Sequence, residues 1–487
     1  EGDYFLDETL EFGANHRQIT VRAEGKARFI GGVRLTGWRP VDDPDVLKRL
    51  DPEAAPHIFV VDLGEHGLTG IEGFVSRGFG RPQAPSHPEP FWNGRPLYVA
   101  QYPKRGEFLT ITGFEKALTN ELEEQAGIPE HGFYFSDPRP ASWADNDDLW
   151  VHGYWSFDWK PSYERVKSIN HATGHLLTHD PYAVSPFRPG QRFYFLNVLE
   201  ELRYPGDYYI DRKANKLYFY PDSRAADGND ELLLSLLKTP LLRLCGSRDI
   251  TFRGIVFECG RGDGLAAEDA SGVTIDRCVF RHLGNAALRI EGGLRNSVKN
   301  STIHHVGETG IHAAGGDRVT LTPAEFSIEN NHIYRIAQWN RCYNPAIHIR
   351  GVGIRAAHNL IHDLPHIGIL WWGNDIEIEH NEIYSVCMET GDAGAVYSGR
   401  DLTFRGNKVR HNFIHHLGGV GLGTMGIYND DGLSGTLMED NFFLEVGRAA
   451  MLGGGVDYVV RNNVFVKCYP AITMDSRVAH TKFFWGP

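Results

Sequence analysis

The chain has 487 residues, with 49 Lys and Arg against 62 Asp and Glu, for a formal net charge of −13. Hydrophobic residues make up 41% and aromatics 12%, too much for a disordered chain, and the length excludes a disulfide-stapled miniprotein. The acidic balance argues against a nucleic-acid partner, since phosphates are gripped by Lys and Arg, and no run of 18 apolar residues is present to span a membrane.

In chain order, residues 1–65 carry strand-like text (ITVRAEGKARFIGG from Ile19, HIFVVDL from His57) and are expected to form an N-terminal cap and the first strands of a larger stack. The chain starts at Glu1 without Met, as a protein does once a leader has been trimmed. Residues 66–235 are rich in aromatics, Pro and charge. RPLYVAQYPKRGEFLTITGF from Arg95, DLWVHGYWSFDW from Asp148 and DYYIDRKANKLYFYP from Asp207 alternate in hydropathy between turn signals. That pattern predicts an inserted antiparallel β-sandwich or barrel. Residues 115–127 (EKALTNELEEQAG) read as a short helix within it.

Residues 236–487 repeat. The segments IVFECGR from Ile255, CVFRHLG from Cys278, STIHHVG from Ser301, NHIYRIA from Asn331, NLIHDLP from Asn359, NEIYSVC from Asn381, NFIHHLG from Asn412, NFFLEVG from Asn441 and NVFVKCY from Asn463 begin 23, 23, 30, 28, 22, 31, 29 and 22 residues apart. A base period near 22 with longer excursions is the pattern of a solenoid with loops inserted on one side. The reading is all-β, a right-handed parallel β-helix in which each strand pairs with its copy one coil away, at about 4.8 Å. The recurring Asn331, Asn359, Asn381, Asn412, Asn441 and Asn463 should stack as an amide ladder. The 55 Gly have no Gly-X-Y period and fit tight turns. The six cysteines (245, 259, 278, 342, 387 and 468) lack CxxC spacing and read as buried apolar residues rather than zinc or redox ligands.

Strand alternation then sorts side chains. Leu288, Ile311, Ile347, Ile369, Val396, Ile427 and Ile472 should form an inward column. The next residues (Arg289, His312, His348, Leu370, Tyr397, Tyr428, Thr473) and those two further on (Glu291, Ala314, Arg350, Trp372, Gly399, Asp430, Asp475) should point outward. Aromatic rings beside carboxylates suit a sugar-binding groove, where CH faces stack on rings and hydroxyls bond to acids. Glycoside hydrolysis needs two carboxylates, and the candidates are Asp392, Asp430, Asp431 and Asp475. Asp475 lies two coils beyond Asp430, about 9.6 Å by strand spacing. Asp392 lies seven positions earlier than the column, so only a bent loop would bring it close. His312, His348, His366, Arg350, Trp372, Tyr397, Tyr428 and Asp475 are the expected substrate contacts. The pairs His304-His305 and His415-His416 occupy equivalent coil positions and read as stacked surface residues, so no metal and no cofactor are expected.

GDAGAVYSGRD from Gly391, RHNFIHHL from Arg410, GIYNDDGLSG from Gly426 and NNVFVKCYPAITMDSR from Asn462 resemble bacterial β-helix glycosidases of glycoside hydrolase family 141. FVSRGFGRP from Phe74, PLYVAQYP from Pro96 and YYIDRKANKLYFYP from Tyr208 resemble the inserted module of such enzymes. The resemblance implies an α-L-fucosidase or a xylan-active enzyme with catalytic aspartates at Asp392 and at Asp430 or Asp431. Only twelve residues follow Asp475, so the solenoid is expected to lack its last coils or cap. The expected function is therefore an exo-acting glycosidase, secreted or periplasmic, removing a terminal sugar, most naturally α-L-fucose, from a carbohydrate partner. The rivals are a β-xylosidase or xylanase, a polysaccharide lyase, and a non-catalytic glycan-binding β-helix.

Overall fold

The computed structural model describes residues 1–120, 124–222, 230–420 and 423–480. It divides into two compact units, residues 1–31 with 237–487, and residues 32–236.

The first unit is a parallel β-helix with three strand positions per coil. One ladder runs through eleven strands, from Leu10–Phe12 and Leu242–Cys245 through Leu265–Glu268, Leu288–Glu291, Ile311–Gly315, Ile347–Val352, Ile369–Asn374, Ala393–Gly399, Thr424–Asp430 and Arg448–Gly453 to Ile472–Asp475. The other two ladders share a sheet of 19 strands. They are joined because the long strand Arg248–Gly260 changes register between Arg253 and Ile255, where Gly254 adopts φ 71° and turns the chain from one face to the next. The nine repeat segments all supply strands of the third ladder, from the end of Arg248–Gly260 through Val279–Leu283 to Val464–Val466.

The register explains the core. Phe257, Phe280, Ile303, Ile333, Ile361, Ile383, Ile414 and Phe443 pair in succession along the third ladder. Leu288, Ile311, Ile347, Ile369, Val396, Ile427, Ala450 and Ile472 do so along the first. Both columns point into the tube, and all but the terminal Ile472 are buried. Full burial of one such side chain is worth about 1.5–3 kcal/mol. The asparagine ladder forms as expected. Each Nδ2 donates to the next Oδ1 at 3.0, 3.0, 3.0, 3.0 and 2.9 Å from Asn331 to Asn463, and each Oδ1 also accepts the backbone N–H one coil earlier. Their amides also donate to backbone carbonyls of an earlier strand, so these buried groups are satisfied. The six cysteines are free; four are buried, while Cys245 is exposed and Cys468 half-buried.

The second unit, residues 32–236, interrupts the first between coils. The chain leaves at Gly31 and returns at Leu237, whose N–H donates to the Gly31 carbonyl at 2.8 Å. Among the described residues, sheets of seven, five, four and two strands make up this unit, and their pairing is antiparallel except for Tyr98–Val99 with Asp207–Asp211. The first boundary thus falls at residue 31 rather than near 65. Phe59–Asp62 is not a solenoid strand: it pairs antiparallel with Lys216–Phe219, inside the second unit. The expected short helix at 115–127 is instead a hairpin of Ala117–Thr119 against Gln125–Gly127, with residues 121–123 outside the described set. Helix-forming composition yields there to strand pairing.

Candidate active site

The carboxylates gather at the late coils of the first ladder. Asp430 ends the strand Thr424–Asp430, opposite Gly399, and only 7% of it is exposed. Its Oδ2 accepts the Tyr397 hydroxyl at 2.9 Å. Its Oδ1 accepts Arg477 Nη1 at 2.6 Å and the Asp431 N–H at 2.9 Å. Burial, then the charge of Asp431, raises the Asp430 carboxyl to about 6; the hydroxyls of Tyr428 and Tyr397 oppose this, and Asp392 adds to it.

Asp392 precedes the strand Ala393–Gly399 in a left-handed conformation, φ 52°, which Asp tolerates. Its N–H donates to the Gly423 carbonyl of the next coil at 2.8 Å, and its Oδ1 accepts the Tyr428 hydroxyl at 3.0 Å. Straight register keeps Asp392 away from Asp430. The approach is made by Tyr428, which lies over Gly394: a Cβ added to Gly394 would meet the Tyr428 Cβ at 2.9 Å. The Tyr428 hydroxyl is 3.5 Å from Arg477 Nη1. Contacts of 3.0, 3.5 and 2.6 Å therefore link Asp392 Oδ1 to Asp430 Oδ1 through Tyr428 and Arg477, so these oxygens are at most about 9.1 Å apart. Glycosidase carboxylates stand about 5–5.5 Å apart in retaining and about 6.5–9.5 Å in inverting enzymes, and this limit falls within that span.

The other two acids are held by arginines. Asp475 is gripped through both oxygens by Arg477, with Nε at 3.0 and 2.8 Å and Nη2 at 2.7 Å. Burial opposes it, but the Arg477 bonds keep the Asp475 carboxyl below its ordinary value. Asp431, at φ 33°, accepts Arg400 Nε at 3.1 Å and Arg477 Nη1 at 3.3 Å. Arg477 thus ties Asp430, Asp431 and Asp475 together, and its own pKa rises further.

The outward columns pair as the alternation requires: Arg289, His312, His348, Leu370, Tyr397 and Tyr428 in succession, and Glu291, Ala314, Arg350 and Trp372 in succession. Tyr397 and Tyr428 form the buried floor beside Asp430, their rings 5.2 Å apart and edge-on. Trp371 is buried and Trp372 half-buried, with Trp372 Nε1 donating to the Gly399 carbonyl at 3.2 Å. Arg350 lies 5.7 Å over the Trp372 ring, and His348 packs edge-on to it at 5.5 Å. His312 and His348 share a contact between their Nδ1 atoms at 3.1 Å. Burial pushes His312 down to about 4 and His348 well below its usual value, so both rings are neutral. These four residues form a second group along the same ladder, and no hydrogen bond, ion pair or ring contact joins them directly to Asp430 among the described residues, although Trp372 bonds the carbonyl of Gly399 opposite it.

His366 departs from its expected role as a substrate contact. It is fully buried, hydrogen-bonded through Nδ1 to the Thr390 hydroxyl at 2.8 Å, and packed edge-on against Tyr343 at 5.0 Å. It supports the floor from behind, since Tyr343 in turn faces Tyr397 at 6.4 Å.

Three residues of the cluster escaped the sequence reading: Tyr343, Arg400 and Arg477. Tyr343 lies between strands in one of the long excursions from the 22-residue period, and the charges of Asp392 and Asp430 both act on it. Its loop is fastened by Arg341 Nε to Glu389 Oε1 at 3.2 Å. Arg477 follows the last strand by two residues, within the motif MDSR, where its spacing from Asp475 was the available signal.

Comparison with known proteins bears on the scaffold. The family model described as right handed beta helix region matches residues 242–348. The fold is a right-handed parallel β-helix. A solved structure described as a glycoside hydrolase superposes on 99% of this chain and 89% of its own, at 16% identity and a TM-score of 0.67. A complex of XylC with xylose aligns over 94% of this chain and 64% of its own, at 11% identity and a TM-score of 0.41. No curated protein matches the sequence.

Proposed function

We propose that the chain is a glycoside hydrolase whose acid is Asp430 and whose second carboxylate is Asp392. The observation that carries this reading is the buried Asp430, raised to about 6, within about 9.1 Å of the more exposed Asp392. An acid with a pKa near the working pH holds its proton until the leaving oxygen needs it. The proton belongs on Oδ2. Oδ1 is committed to two donors, whereas the Tyr397 hydroxyl at Oδ2 can turn from donor to acceptor. Asp392 then attacks the anomeric carbon or activates a water, with Tyr428 orienting it. Asp475, gripped through both oxygens by Arg477 and held below its ordinary value, and Asp431, shared between Arg400 and Arg477, are assigned to the field around Asp430 rather than to the proton. The name borne by the solved structure sharing the fold agrees with this reading.

The substrate is a carbohydrate, and the proposed action is exo-cleavage of a terminal sugar. α-L-Fucose comes first and xylose second, following the GDAG and DDG motifs, in a secreted or periplasmic enzyme. Assays on aryl α-L-fucosides and aryl β-xylosides test this. The wild type is expected to release aglycone from one class, and Asp430→Asn and Asp392→Asn to lower kcat by about 10²–10⁴-fold. Wild-type rates in both variants would remove the assignment.

A further inference from the structure

A second cluster lies on the third ladder, and the proposed hydrolysis has no use for it. His304 and His305 are adjacent, and the register pairs Arg281 with His304 and Leu283 with Val306, which sets His282 opposite His305 one coil earlier. One ring nitrogen from each of His282, His304 and His305 lies within 4.8 Å of the others. His282 and His305 both take the left-handed conformation, φ 56° and 51°, inside their strands, and pairing resumes at Leu283 and Val306. The turn brings the His305 ring back against His304, Nδ1 to Nδ1 at 2.7 Å, and the His304 ring is fixed by stacking on Tyr334 at 5.0 Å. The Glu258 carboxylate stands 3.7 Å from His282 Nδ1.

The geometry points to a binding site for one divalent transition cation of the Zn²⁺ class, held by the imidazoles of His282, His304 and His305 and clamping two neighbouring coils together. Three imidazoles are the donors that this class of ion prefers. At Zn–N distances of about 2.0–2.1 Å a tetrahedral ion needs ligand nitrogens about 3.4 Å apart, and the three nitrogens already lie within 4.8 Å of one another. The contact between His304 and His305 requires a proton on one Nδ1; an ion there moves it to Nε2 of the same ring. Glu258 stands 3.7 Å from His282 Nδ1, on the side from which carboxylates commonly back ligating histidines.

The molecule contains its own control. His415 and His416 make the same Nδ1 contact at 2.7 Å, but the residue opposite His416 one coil earlier is Ser385. A stacked histidine pair without the third ring therefore exists in the same solenoid. The test uses the full chain without a histidine tag, titrated with Co²⁺ and then Zn²⁺. A visible Co²⁺ band saturating at one equivalent and displaced by Zn²⁺ is expected. It should vanish in His282→Gln and in His305→Ala, and persist when His415 and His416 are both replaced by Ala. His305→Ala decides the matter, since its ring is half-buried and its loss leaves the core intact. Absence of a saturating band, its survival in His305→Ala, or its loss in the His415/His416 variant overturns the proposal.

Discussion

At the scale of single residues, the candidate site works by separating the environments of two carboxylates. Asp430 is buried against Tyr397 and Tyr428 beside the charge of Asp431, while Asp392 is half-buried at the start of a strand. A like charge disfavours ionisation, so removing one lowers the neighbour's pKa. Asp431→Asn should therefore bring Asp430 below about 6. Activity requires Asp430 protonated, so the alkaline limb of the kcat/KM profile should move to lower pH in that variant. A limb that stays in place or moves up contradicts the role given to Asp431. The register of the outward column was legible because strand alternation has a fixed period, which is why Tyr397 and Tyr428 pair as expected, as do Arg350 and Trp372. The closeness of Asp392 was not, because it depends on Tyr428 crossing over a glycine, and pairing rules treat strands as straight. Arg477 and Tyr343 lie outside the repeating strands, where periodicity carries no information.

At the scale of elements, the solenoid is set by the column of small polar and apolar residues that recurs every coil. The asparagine ladder was readable because one residue type recurs at one position, where each buried amide pairs with its own copy in the next coil. Breaking one internal rung leaves buried donors and acceptors unpaired, at about 1–3 kcal/mol each. Asn381→Ala should lower unfolding stability by at least that amount in urea denaturation. Asn463→Ala, at a half-buried terminal rung, should lose less; equal losses would mean that the ladder is not the source of the effect. The hairpin at Ala117–Gly127 shows the opposite situation, since nothing in its composition reveals a partner strand.

At the scale of the whole molecule, the architecture is a solenoid interrupted once. Alternating text in residues 32–62 resembles that of the first coil, and the two could not be separated locally: the strand Phe59–Asp62 finds its partner about 150 residues later. What does mark the junction is the hydrogen bond between Leu237 and Gly31. Chain ends this close allow an insertion to be removed without stretching the remainder. A chain with Gly31 joined to Leu237 through a short Gly/Ser link should retain the β-sheet circular dichroism of the solenoid and a cooperative unfolding transition. Collapse to a disordered spectrum would show that residues 32–236 are needed for the solenoid to fold.

The central claim is that Asp430 delivers the proton to the leaving group, and the dependence on that leaving group tests it most directly. A glycosyl fluoride departs with little need of an acid, whereas an aryl glycoside with a poor leaving group needs one. In Asp430→Asn the rate on the poor leaving group should fall by about 10²–10⁴-fold, with a much smaller loss on the fluoride of the same sugar. Equal losses on both substrates, or no loss on either, would contradict Asp430 as the acid.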